Sequence, residues 1–447
     1  MNRPRICLSL YGTTDEVCSA INSFDADLFE IRLDLCSDLD GARVRAATNK
    51  PLLFAAHGRP DLLRKYLDFA DYVDLEQDAG GTPAVPNAGK MPALPIVSIH
   101  AKEEDPDRLW ERLFGEHRTK IVLETENYDV IARLIKLNRD HSPLALCFAA
   151  GEVGAFSRIL SVLNGAPWIY ASLPGRATGN GQFMFDQLIQ TYRLPRFQKM
   201  QELSVFGIIG NPVAHSSSPQ IQNKNFADAS LPWIYLPFFC KDLPALLSSA
   251  PKWKAKGFSI THPYKEEVLP LLDSVSPAVQ RLRSCNTIAY VDGKWIGTNT
   301  DLDGIETMLK DVPVHGARTV IIGAGASARA FVSVIHPRVA ELWILNRTAE
   351  KASQLASEFQ ARSGPLTDLI HIDYDILIQA TSNGWISGES PIDTQQLKPG
   401  KIVIDCIYQD TELLKKARDL GCRTINGETW FQAQAQSQFR WWSSLNL

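Results

Sequence analysis

Eight short apolar runs recur within the first 171 residues of the chain, and this rhythm restricts the possible fold more than any other feature. The runs are Ile6–Leu10, Leu28–Leu33, Pro51–Ala55, Tyr72–Leu75, Ile96–Ile99, Lys120–Leu123, Leu144–Phe148 and Trp168–Ala171. Helical patterns separate several of them, for example at 129–137 and 153–163. Eight strands that alternate with helices predict an α/β fold with an N-terminal (β/α)8 TIM barrel. An open α/β sheet is the alternative.

A second strand–turn–helix pattern lies near residue 320. The apolar run 319–322 leads into Gly323-Ala-Gly325-Ala-Ser-Ala328, a G-x-G-x-x-A sequence. Such glycines let the backbone approach a pyrophosphate at a helix N-terminus. The pattern indicates Gly323, Gly325 and Ala326 as cofactor contacts. A structural βαβ unit without a nucleotide is the alternative.

The next predicted strand ends at Asn346-Arg347-Thr348, which lies where a dinucleotide fold reads the adenosine ribose. A carboxylate at this point would bind the 2′-hydroxyl of NAD, but the segment contains none. Arginine suits a 2′-phosphate instead. We therefore predict NADP as the cofactor, with contacts from Asn346, Arg347 and Thr348.

The overall composition excludes several classes of protein. The 447 residues predict roughly three domains at about 150 residues each. With 46 basic and 50 acidic residues, the net charge of −4 argues against a nucleic-acid partner. The eight cysteines form no C-x-x-C pair, so no metal site is predicted. No signal peptide and no membrane-spanning run is recognised, so we expect a soluble, cytoplasmic protein without a membrane partner.

The pattern starts afresh at Val205, with Gly207-Ile-Ile-Gly-Asn-Pro-Val followed by Ser216-Ser-Ser218-Pro. This strand and its S-x-S-P loop resemble the start of shikimate dehydrogenase, and the resemblance covers residues 205–447. It implies that Ser216 and Ser218 hold the substrate carboxylate, which short hydroxyls in a tight turn can do. Capping the following helix is the alternative role for Ser218.

Three further motifs carry the same resemblance. They are Gly257-Phe-Ser-Ile-Thr261-His-Pro-Tyr-Lys265, Cys285-Asn286-Thr287 and Gly297-Thr-Asn-Thr-Asp301-Leu-Asp-Gly304. The resemblance implies that Lys265 and Asp301 are catalytic and that Thr261 and Asn286 contact the substrate. A lysine beside a carboxylate can shuttle the proton of the reacting hydroxyl or stabilise the developing alkoxide. Ser259 stands where the family usually has Asn.

The C-terminal segments extend the match to the dehydrogenase. They are Asp375-Ile-Leu-Ile-Gln-Ala-Thr381-Ser-Asn-Gly384, Asp405-Cys-Ile-Tyr408 and Gly427-Glu-Thr-Trp430-Phe-Gln-Ala-Gln434. The resemblance implies cofactor contacts at Thr381 and Gly427. It also implies substrate contacts at Tyr408 and Gln434. Trp430 replaces the methionine that is usual in the family.

Residues 1–190 carry a separate set of motifs. They are Glu30-Ile-Arg32-Leu-Asp34, Asp71-Tyr-Val-Asp-Leu-Glu76, Ile96-Val-Ser-Ile-His100, Thr119-Lys120-Ile, Gly151-Glu-Val-Gly-Ala-Phe-Ser-Arg158 and Thr178-Gly-Asn-Gly-Gln182. Together they resemble type I 3-dehydroquinate dehydratase. The resemblance implies a Schiff-base Lys120 and a catalytic His100 oriented by Glu76. The implied substrate contacts are Glu30, Arg32, Arg158, Thr178 and Gln182.

These residue types suit the dehydration of 3-dehydroquinate. A desolvated Lys120 would be neutral enough to attack the ketone, and the resulting iminium would acidify the adjacent carbon. His100 would remove a proton there and assist the departure of water. Arg158 offers a bidentate donor for the substrate carboxylate. A purely structural histidine at the strand end is the alternative for His100.

One position departs from the dehydratase pattern. The family's second barrel motif usually reads F-T-x-R, with an arginine that contacts the substrate. Here the sequence is Phe54-Ala-Ala-His57-Gly-Arg59, so that histidine occupies the expected place. Either Arg59 or Arg64 reaches back to the site, or the dehydratase is impaired.

Together the two halves resemble the bifunctional dehydratase–dehydrogenase of the shikimate pathway. We predict a dehydratase barrel at 1–200, a dehydrogenase substrate domain at 203–302 with 425–447, and an NADP-binding Rossmann domain at 303–424. The expected partners are small carboxylates: 3-dehydroquinate, 3-dehydroshikimate and shikimate. One alternative is a quinate/shikimate dehydrogenase that works with NAD and has an impaired dehydratase half. A non-enzymatic pathway sensor is the other.

Overall fold

The computed structural model describes residues 3–77, 93–115, 117–214, 216–384, 389–445 and 447. The chain divides into two compact units, Met1–Lys256 and Gly257–Leu447. Residues 203–256 thus fall in the same unit as the barrel. The predicted domain boundaries, which follow function, remain predictions.

All eight predicted strands of the N-terminal half are present in one parallel sheet. Its strands are β1 (Ile6–Leu10), β2 (Leu28–Arg32), β3 (Leu52–Ala55), β4 (Tyr72–Glu76), β5 (Leu94–Lys102), β6 (Arg118–Glu124), β7 (Ala145–Ala150), β8 (Ile169–Ser172) and the short β9 (Phe183–Met184). Their order is β7-β6-β5-β4-β3-β2-β1-β8-β9. This is the order of a (β/α)8 barrel, and among the described residues the ladder is interrupted only between β7 and β8. The predicted barrel class is confirmed as a strongly curled parallel sheet.

Helices connect the barrel strands. They are α1 (Thr14–Ser23), α2 (Gly41–Ala46), α3 (Pro60–Leu63), α4 (Pro106–Leu113), α5 (Tyr128–Asp140), α6 (Gly151–Gly154) and α7 (Phe156–Leu163). Polar side chains fix several of their starts. Thr13 forms a capping box with Glu16, and Asp105 and Asn127 accept backbone N–H groups at the starts of α4 and α5. Inside the sheet, apolar side chains such as Leu28, Ile96 and Trp168 form a buried cluster.

The rest of the first unit packs on the outside of the barrel. It contains β10 (Ser204–Gly210), α8 (Ser218–Asp228), β11 (Trp233–Phe239) and α9 (Leu243–Ser249). Strands β10 and β11 run parallel in register along their whole length. The ring of Phe156 at the start of α7 lies 4.6 Å from the ring of Phe238 and 5.2 Å from that of Trp253. Strand β12 (Ala255–Ile260) crosses the division between the units.

The first strands of the second unit belong to a mixed sheet of six strands. This part of the sheet contains the end of β12, β13 (Ser274–Val275), β14 (Thr287–Val291) and β15 (Lys294–Thr298). The order of the six strands is β11-β10-β12-β14-β15-β13. Strand β14 is antiparallel to both β12 and β15, whereas β13 is parallel to β15. The helices α10 (Pro277–Leu282) and α11 (Asp301–Met308) belong to the same region. The carboxyl end of β15 thus leads directly to Asp301, the first residue of α11.

A six-stranded parallel sheet forms the remainder of the second unit. Its elements are β16 (Arg318–Ile322), α12 (Ala326–Ile335), β17 (Glu341–Leu345), α13 (Ala349–Glu358), β18 (Arg362–Gly364), β19 (Ile376–Gln379), β20 (Ile402–Asp405), α14 (Glu412–Asp419) and β21 (Arg423–Ile425). The order β18-β17-β16-β19-β20-β21 is the 3-2-1-4-5-6 order of a dinucleotide-binding fold. Buried apolar clusters cover both faces of this sheet.

The last helix, α15 (Glu428–Ser444), leaves the Rossmann sheet and packs along α11. The Trp442 indole N–H donates to the carbonyl of Ile288 on β14, at 3.1 Å. This contact fixes the C-terminal helix to the mixed sheet. None of the described helices is both long and apolar enough to cross a membrane.

Two candidate active sites

The strand ends of the barrel enclose a cavity of about 300 Å³. Its lining residues are Ser9, Glu30, Arg32, His57, His100, Lys120, Val122, Phe148, Ala150, Arg158, Tyr170, Thr178, Gly179, Asn180 and Gln182. Seven of the eight residues predicted for the dehydratase site are in this set, and the eighth, Glu76, bonds two of its histidines. Active sites of such barrels lie at this carboxyl-terminal face.

Lys120 lies on β6 and is paired with an aspartate that the sequence analysis did not identify. Its Nζ is 2.7 Å from Oδ2 of Asp74, and the two side chains are only 5% and 2% exposed. Burial raises the pKa of the Asp74 carboxyl, but the charges of Lys120 and His57 lower it more, so the net pKa is below the usual value. Asp74 is therefore an ionised partner for the lysine. The Lys120 ammonium also lies 5.1 Å from the ring centroid of Tyr170.

The alternation of side chains along β4 and β5 brings Asp74, Glu76 and His100 to one face. Glu76 Oε1 is 2.5 Å from Nδ1 of His100, and its Oε2 is 3.0 Å from Nδ1 of His57. Burial raises the pKa of Glu76, but its bonds to the two imidazoles depress it far more. Because an ionised carboxylate only accepts, both Nδ1 atoms donate and each neutral ring keeps its lone pair on Nε2.

The surroundings of His100 favour its neutral form. Burial lowers its pKa, and the nearby Lys120 and His57 lower it further, against the raising effect of Glu76. A neutral imidazole with an oriented Nδ1–H is the form that acts as a general base. The geometry therefore permits proton transfer at the Nε2 atom of His100.

Arg158 is a buried cation that lines the same cavity. One of its terminal nitrogens donates to the Asn180 carbonyl at 2.9 Å, and its Nε has no partner among the described residues. Its guanidinium lies 4.4 Å from the ring centroid of Phe148. Burial lowers its pKa to about 10, which leaves it charged at neutral pH. An unsatisfied buried guanidinium in a cavity fits a carboxylate ligand.

Arg32 and the predicted lid segment are held by local bonds. Arg32 makes a bidentate pair with Asp34, at 3.0 and 2.7 Å, and donates to the carbonyl of Thr178 at 3.2 Å. Gln182 accepts from the backbone N–H of Thr178 at 2.8 Å and donates to the hydroxyl of Ser9 at 3.3 Å. These bonds tie the loop that contains Thr178 and Gln182 to β1 and β2.

The family's substrate-binding arginine is replaced by His57, and the structure shows whether Arg59 or Arg64 takes its place. The Arg59 side chain is 59% exposed and faces Asp61, and neither Arg59 nor Arg64 lines the cavity. His57 lines it instead and bonds Glu76. The expectation that an arginine reaches back is therefore not met, and the other alternative, an impaired dehydratase, stays a prediction that turnover of 3-dehydroquinate tests. Of the other residues missed, Asp74 could have been found from its place two residues before Glu76, on the same strand face.

In the second unit, Lys265 and Asp301 form the centre of a polar network. Lys265 Nζ lies 2.6 Å from Oδ2 of Asp301, with the side chains 16% and 4% exposed. Asp301 Oδ1 accepts from the amide of Asn286 at 2.9 Å. The side-chain Oδ1 of Asn286 in turn accepts from the backbone N–H of Thr300 at 2.9 Å. These bonds hold the carboxylate rigidly beside a partly open ammonium group.

The other predicted substrate residues of this unit are held by local contacts. Thr261 follows β12, and its carbonyl accepts from the N–H of Tyr264 at 2.8 Å. Tyr408 stacks on Phe431 with ring centroids 4.7 Å apart. Gln434 donates to the carbonyl of Phe431 at 3.0 Å. Both belong to the region where α15 begins.

Ser259 and Gln438 form a bond that sequence reasoning missed. The Ser259 hydroxyl donates to the Gln438 side chain at 2.8 Å, and both residues are buried. Gln438 Nε2 also donates to the carbonyl of Asn286 at 3.3 Å. The serine that replaces the family's usual asparagine therefore has a full partner, which links β12 to α15.

The serine loop lies in the first unit. Ser218 is the first residue of α8 and the preceding Ser217 is the N-cap position, so the capping alternative for Ser218 is not supported. The backbone N–H of Ser218 donates to the hydroxyl of Ser216 at 3.2 Å. Ser218 is buried and Ser216 is half-buried. The loop is thus compact, with two hydroxyls near the start of a helix.

The glycine turn after β16 has the geometry that a pyrophosphate site needs. Gly323 has φ +117°, and a Cβ there would lie 2.9 Å from the Thr381 side chain and 3.1 Å from the Ala380 carbonyl. A Cβ at Gly325 would meet nothing within 4 Å. Open space therefore lies in front of Gly325, at the N-terminus of α12, where Ala326 is the first residue. These observations fit the phosphates of a dinucleotide.

The end of β17 offers a free cation beside this turn. Asn346 donates to the carbonyl of Thr348 at 3.0 Å, which fixes the loop. Arg347 is exposed and makes no hydrogen bond or ion pair with any described residue. Arg347 is thus available to an anion.

Gly427 must be a glycine, because a Cβ would lie 2.0 Å from the Cys406 carbonyl.

The fold and the two sites define a class of protein: an α/β enzyme with a lysine-bearing barrel and a dinucleotide-binding dehydrogenase. The family model for type I 3-dehydroquinase matches residues 6–198. The models for the shikimate dehydrogenase substrate binding domain and for shikimate / quinate 5-dehydrogenase match 208–288 and 306–404. The chain belongs to the shikimate dehydrogenase family and has the architecture of a bifunctional dehydroquinate dehydratase/shikimate dehydrogenase.

Individual relatives agree with this assignment. The chloroplastic bifunctional 3-dehydroquinate dehydratase/shikimate dehydrogenase of Arabidopsis thaliana is 29% identical over 479 residues, which span 96% of this chain and 79% of the relative. The shikimate dehydrogenase (NADP(+)) of Pyrococcus furiosus is 37% identical over 54% of this chain and 91% of its own length. The crystal structure of shikimate 5-dehydrogenase from Thermus thermophilus with NADP(H) and shikimate superposes with a TM-score of 0.50 at 30% identity, covering 54% of this chain and 94% of that one.

Proposed function

We propose that this chain dehydrates 3-dehydroquinate to 3-dehydroshikimate in the barrel and reduces 3-dehydroshikimate to shikimate with NADPH in the dehydrogenase half. The observation that carries the proposal is the convergence of Lys120, His100 and Arg158 on one cavity of about 300 Å³. The match to the Arabidopsis bifunctional enzyme, over 96% of this chain and 79% of the relative, supports both steps on one chain.

In the first step, Lys120 is the nucleophile. Its Nζ forms a C–N bond with the ketone carbon and gives up two protons, which pass by way of Asp74, at 2.7 Å, to the ketone oxygen. That oxygen leaves as water, and the iminium keeps the positive charge beside the ionised Asp74. His100 then removes a proton from the adjacent carbon through Nε2, and that electron pair forms the C=C bond. The hydroxyl on the next carbon departs with the proton that His100 returns. Water finally hydrolyses the iminium, which releases the product and regenerates the amine.

Buried charges of the barrel orient this substrate. Arg158 lines the cavity, its Nε has no partner among the described residues, and its guanidinium binds the carboxylate. Glu30 is buried and lines the same cavity, where a carboxylate accepts from substrate hydroxyls. Arg32 lies 3.2 Å from the Thr178 carbonyl and so holds the lid loop near the ligand. These charged and polar groups suit a small polyhydroxylated carboxylate.

In the second step, Lys265 supplies a proton to the carbonyl oxygen as it becomes a hydroxyl. NADPH, when bound, supplies the hydride. Asp301 holds the ammonium at 2.6 Å, and Asn286 fixes the other carboxylate oxygen at 2.9 Å, so the donor needs little reorganisation. Ser216 and Ser218 bind the substrate carboxylate. Thr261, Tyr408 and Gln434 complete the contacts.

We assign the phosphate-binding role to the turn at Gly323, Gly325 and Ala326, and the recognition of the 2′-phosphate to Arg347. The open space at Gly325 and the unpaired guanidinium of Arg347 support this assignment. Thr381 lines the turn at Gly323. None of the eight cysteines, all of which lie in the described ranges, forms a disulfide, which supports residence in a reducing compartment such as the cytoplasm.

Borohydride trapping tests the dehydratase proposal. The protein is incubated with 3-dehydroquinate and sodium borohydride, and the peptides are analysed by mass spectrometry. We expect one reduced adduct on Lys120 and none in Lys120→Met. An adduct on another lysine, or no adduct in a folded wild-type protein, contradicts the proposal.

Steady-state kinetics test the dehydrogenase proposal on the same preparation. We expect reduction of 3-dehydroshikimate with a higher kcat/KM for NADPH than for NADH. A clear preference for NADH contradicts the assignment of Arg347. Lys265→Met serves as the matched variant and should lose reduction while it retains dehydration.

A further inference from the structure

Three possible metal ligands meet at the wall of the barrel cavity. The side-chain ligand atoms of His57, Glu76 and His100 all lie within 4.8 Å of one another. The two rings are tilted against each other with centroids 4.8 Å apart, and each directs its Nδ1 to a different oxygen of Glu76. The proposed dehydratase mechanism uses His100 and Glu76 but assigns no role to His57.

Two imidazoles and one carboxylate form a ligand set suited to Zn²⁺ and related divalent transition metals. Metal–ligand bonds of about 2.0–2.1 Å place neighbouring ligand atoms about 3.3 Å apart in a tetrahedral site. The present Glu76 contacts are 2.5 Å to His100 and 3.0 Å to His57. An ion would therefore need only a small expansion of the cluster.

The surroundings leave room and charge for a cation. The side chains of His57, Glu76 and His100 are 23%, 28% and 33% exposed, so an ion can enter and keep a water ligand. Two of the three cations that line the cavity, Lys120 and Arg32, are each neutralised by their own aspartate, and the third is Arg158. Glu76 directs one carboxylate oxygen to each imidazole, so it supplies the carboxylate that the ligand set requires.

We propose that His57, Glu76 and His100 form a binding site for a divalent transition metal ion, with Zn²⁺ as the test ion, and that its occupation switches off the dehydratase. A metal ion on Nδ1 of neutral His100 moves the ring proton to Nε2, so the lone pair that would remove the substrate proton is lost. Binding does not depend on the dehydratase function, whereas the inhibition rests on that proposed function.

Direct binding on the full-length chain tests the site. Equilibrium dialysis against Zn²⁺, followed by elemental analysis, is applied to the wild type, His57→Asn and His57→Arg, the second of which restores the residue usual in the family. Because cysteine thiols also bind Zn²⁺, the quantity compared is the difference in bound Zn²⁺ per chain between the wild type and each variant. We expect the wild type to bind one more equivalent than either His57 variant. His371→Asn, at an exposed position in the second unit, should match the wild type.

A spectroscopic measurement gives a second readout. Co²⁺ added to the wild type should give visible d–d absorption bands that are absent in both folded His57 variants. Equal Zn²⁺ stoichiometry and equal affinity in the wild type and these variants would overturn the proposal, as would identical Co²⁺ spectra.

The inhibition has an internal control on the same polypeptide. Stoichiometric Zn²⁺ should lower dehydration of 3-dehydroquinate at least tenfold, reversibly with EDTA, and leave reduction of 3-dehydroshikimate unchanged. Equal loss of both activities would overturn the switch. A His57-dependent equivalent of bound Zn²⁺ in a protein that never dehydrates would uphold the metal site and refute the proposed dehydratase, so the two failures are distinct.

Discussion

Lys120 and Asp74 form a salt bridge of 2.7 Å inside the barrel, with side chains 5% and 2% exposed. The pair joins β6 to β4 across β5, where Ser98 lies in register with Lys120. A buried ion pair gains little over a well-packed apolar pair, but the loss of one partner leaves an uncompensated charge. This relationship makes the proposed nucleophile a structural element as well.

Removal of Lys120 alone should therefore destabilise the barrel. We expect Lys120→Met to lower the free energy of unfolding by about 3–5 kcal/mol, because Asp74 then remains buried without a cation. Adding Asp74→Asn should recover most of this loss. Chemical denaturation of both single variants and the double variant measures the coupling.

An exposed pair provides the control. Arg59 and Asp61 are 59% and 66% exposed, so Arg59→Met should change the free energy of unfolding by less than about 1 kcal/mol. If Lys120→Met is as stable as the double variant, the buried pair does not have the stated coupling.

The protonation of His100 should determine the acidic limb of the pH–rate profile for dehydration. Its pKa lies below the ordinary 6.5, because burial and nearby cations disfavour the imidazolium. The base is thus available at lower pH than a free imidazole, and activity falls only when the pH drops below that lowered pKa. We expect the acidic midpoint of kcat/KM for 3-dehydroquinate below 6.5, measured over a pH series.

Glu76→Gln tests the origin of that limb. The Glu76 carboxylate accepts from both imidazoles, whereas a glutamine side chain has only one acceptor oxygen. The orientation of His100 is therefore lost. We expect kcat to fall by roughly 10–100-fold, by analogy with the loss of a group that orients a metal-bound histidine, while borohydride still labels Lys120. An unchanged kcat in Glu76→Gln would show that Glu76 does not orient the base.

Arg347 should control the choice between the two cofactors. It is the free guanidinium at the end of β17, and a charged hydrogen bond to phosphate contributes about 1.5–3 kcal/mol. We expect Arg347→Ala to raise KM for NADPH at least about tenfold and to leave KM for NADH nearly unchanged. Arg362, on the neighbouring strand and already 2.8 Å from Glu341, is the matched control. A similar loss with both cofactors would contradict the 2′-phosphate role.

Local patterns predicted most of the fold because the strands are short apolar runs with polar ends. All eight barrel strands and the β16–α12 turn lie where periodicity and glycine spacing put them. The motifs also identified seven residues of the cavity wall. The partners of these residues were harder to find. Asp74 bonds Lys120 across 46 positions, and His57 bonds Glu76 across 19, so no local pattern joins them.

The same limit applies to packing between α11 and α15. Gly304 and Trp430 are far apart in sequence, yet a Cβ at Gly304 would lie 2.4 Å from the Trp430 ring and 2.8 Å from its carbonyl. The replacement of methionine by Trp430 was visible in the sequence. Its close contact with Gly304 could not be predicted, because it depends on the position of α15 against α11.

Because of this contact, we expect a substitution that usually stabilises a helix to lower the stability of this protein. Alanine in place of a helical glycine usually stabilises by up to about 1 kcal/mol. At Gly304 we expect Gly304→Ala to destabilise the second unit by about 1–3 kcal/mol, because the indole cannot move without disturbing α15. Trp430→Met should relieve part of the cost, since a flexible chain replaces the ring while the carbonyl contact remains. Thermal and denaturant unfolding of both single variants and the double variant measure this, and a Gly304→Ala protein more stable than the wild type would refute the steric conflict.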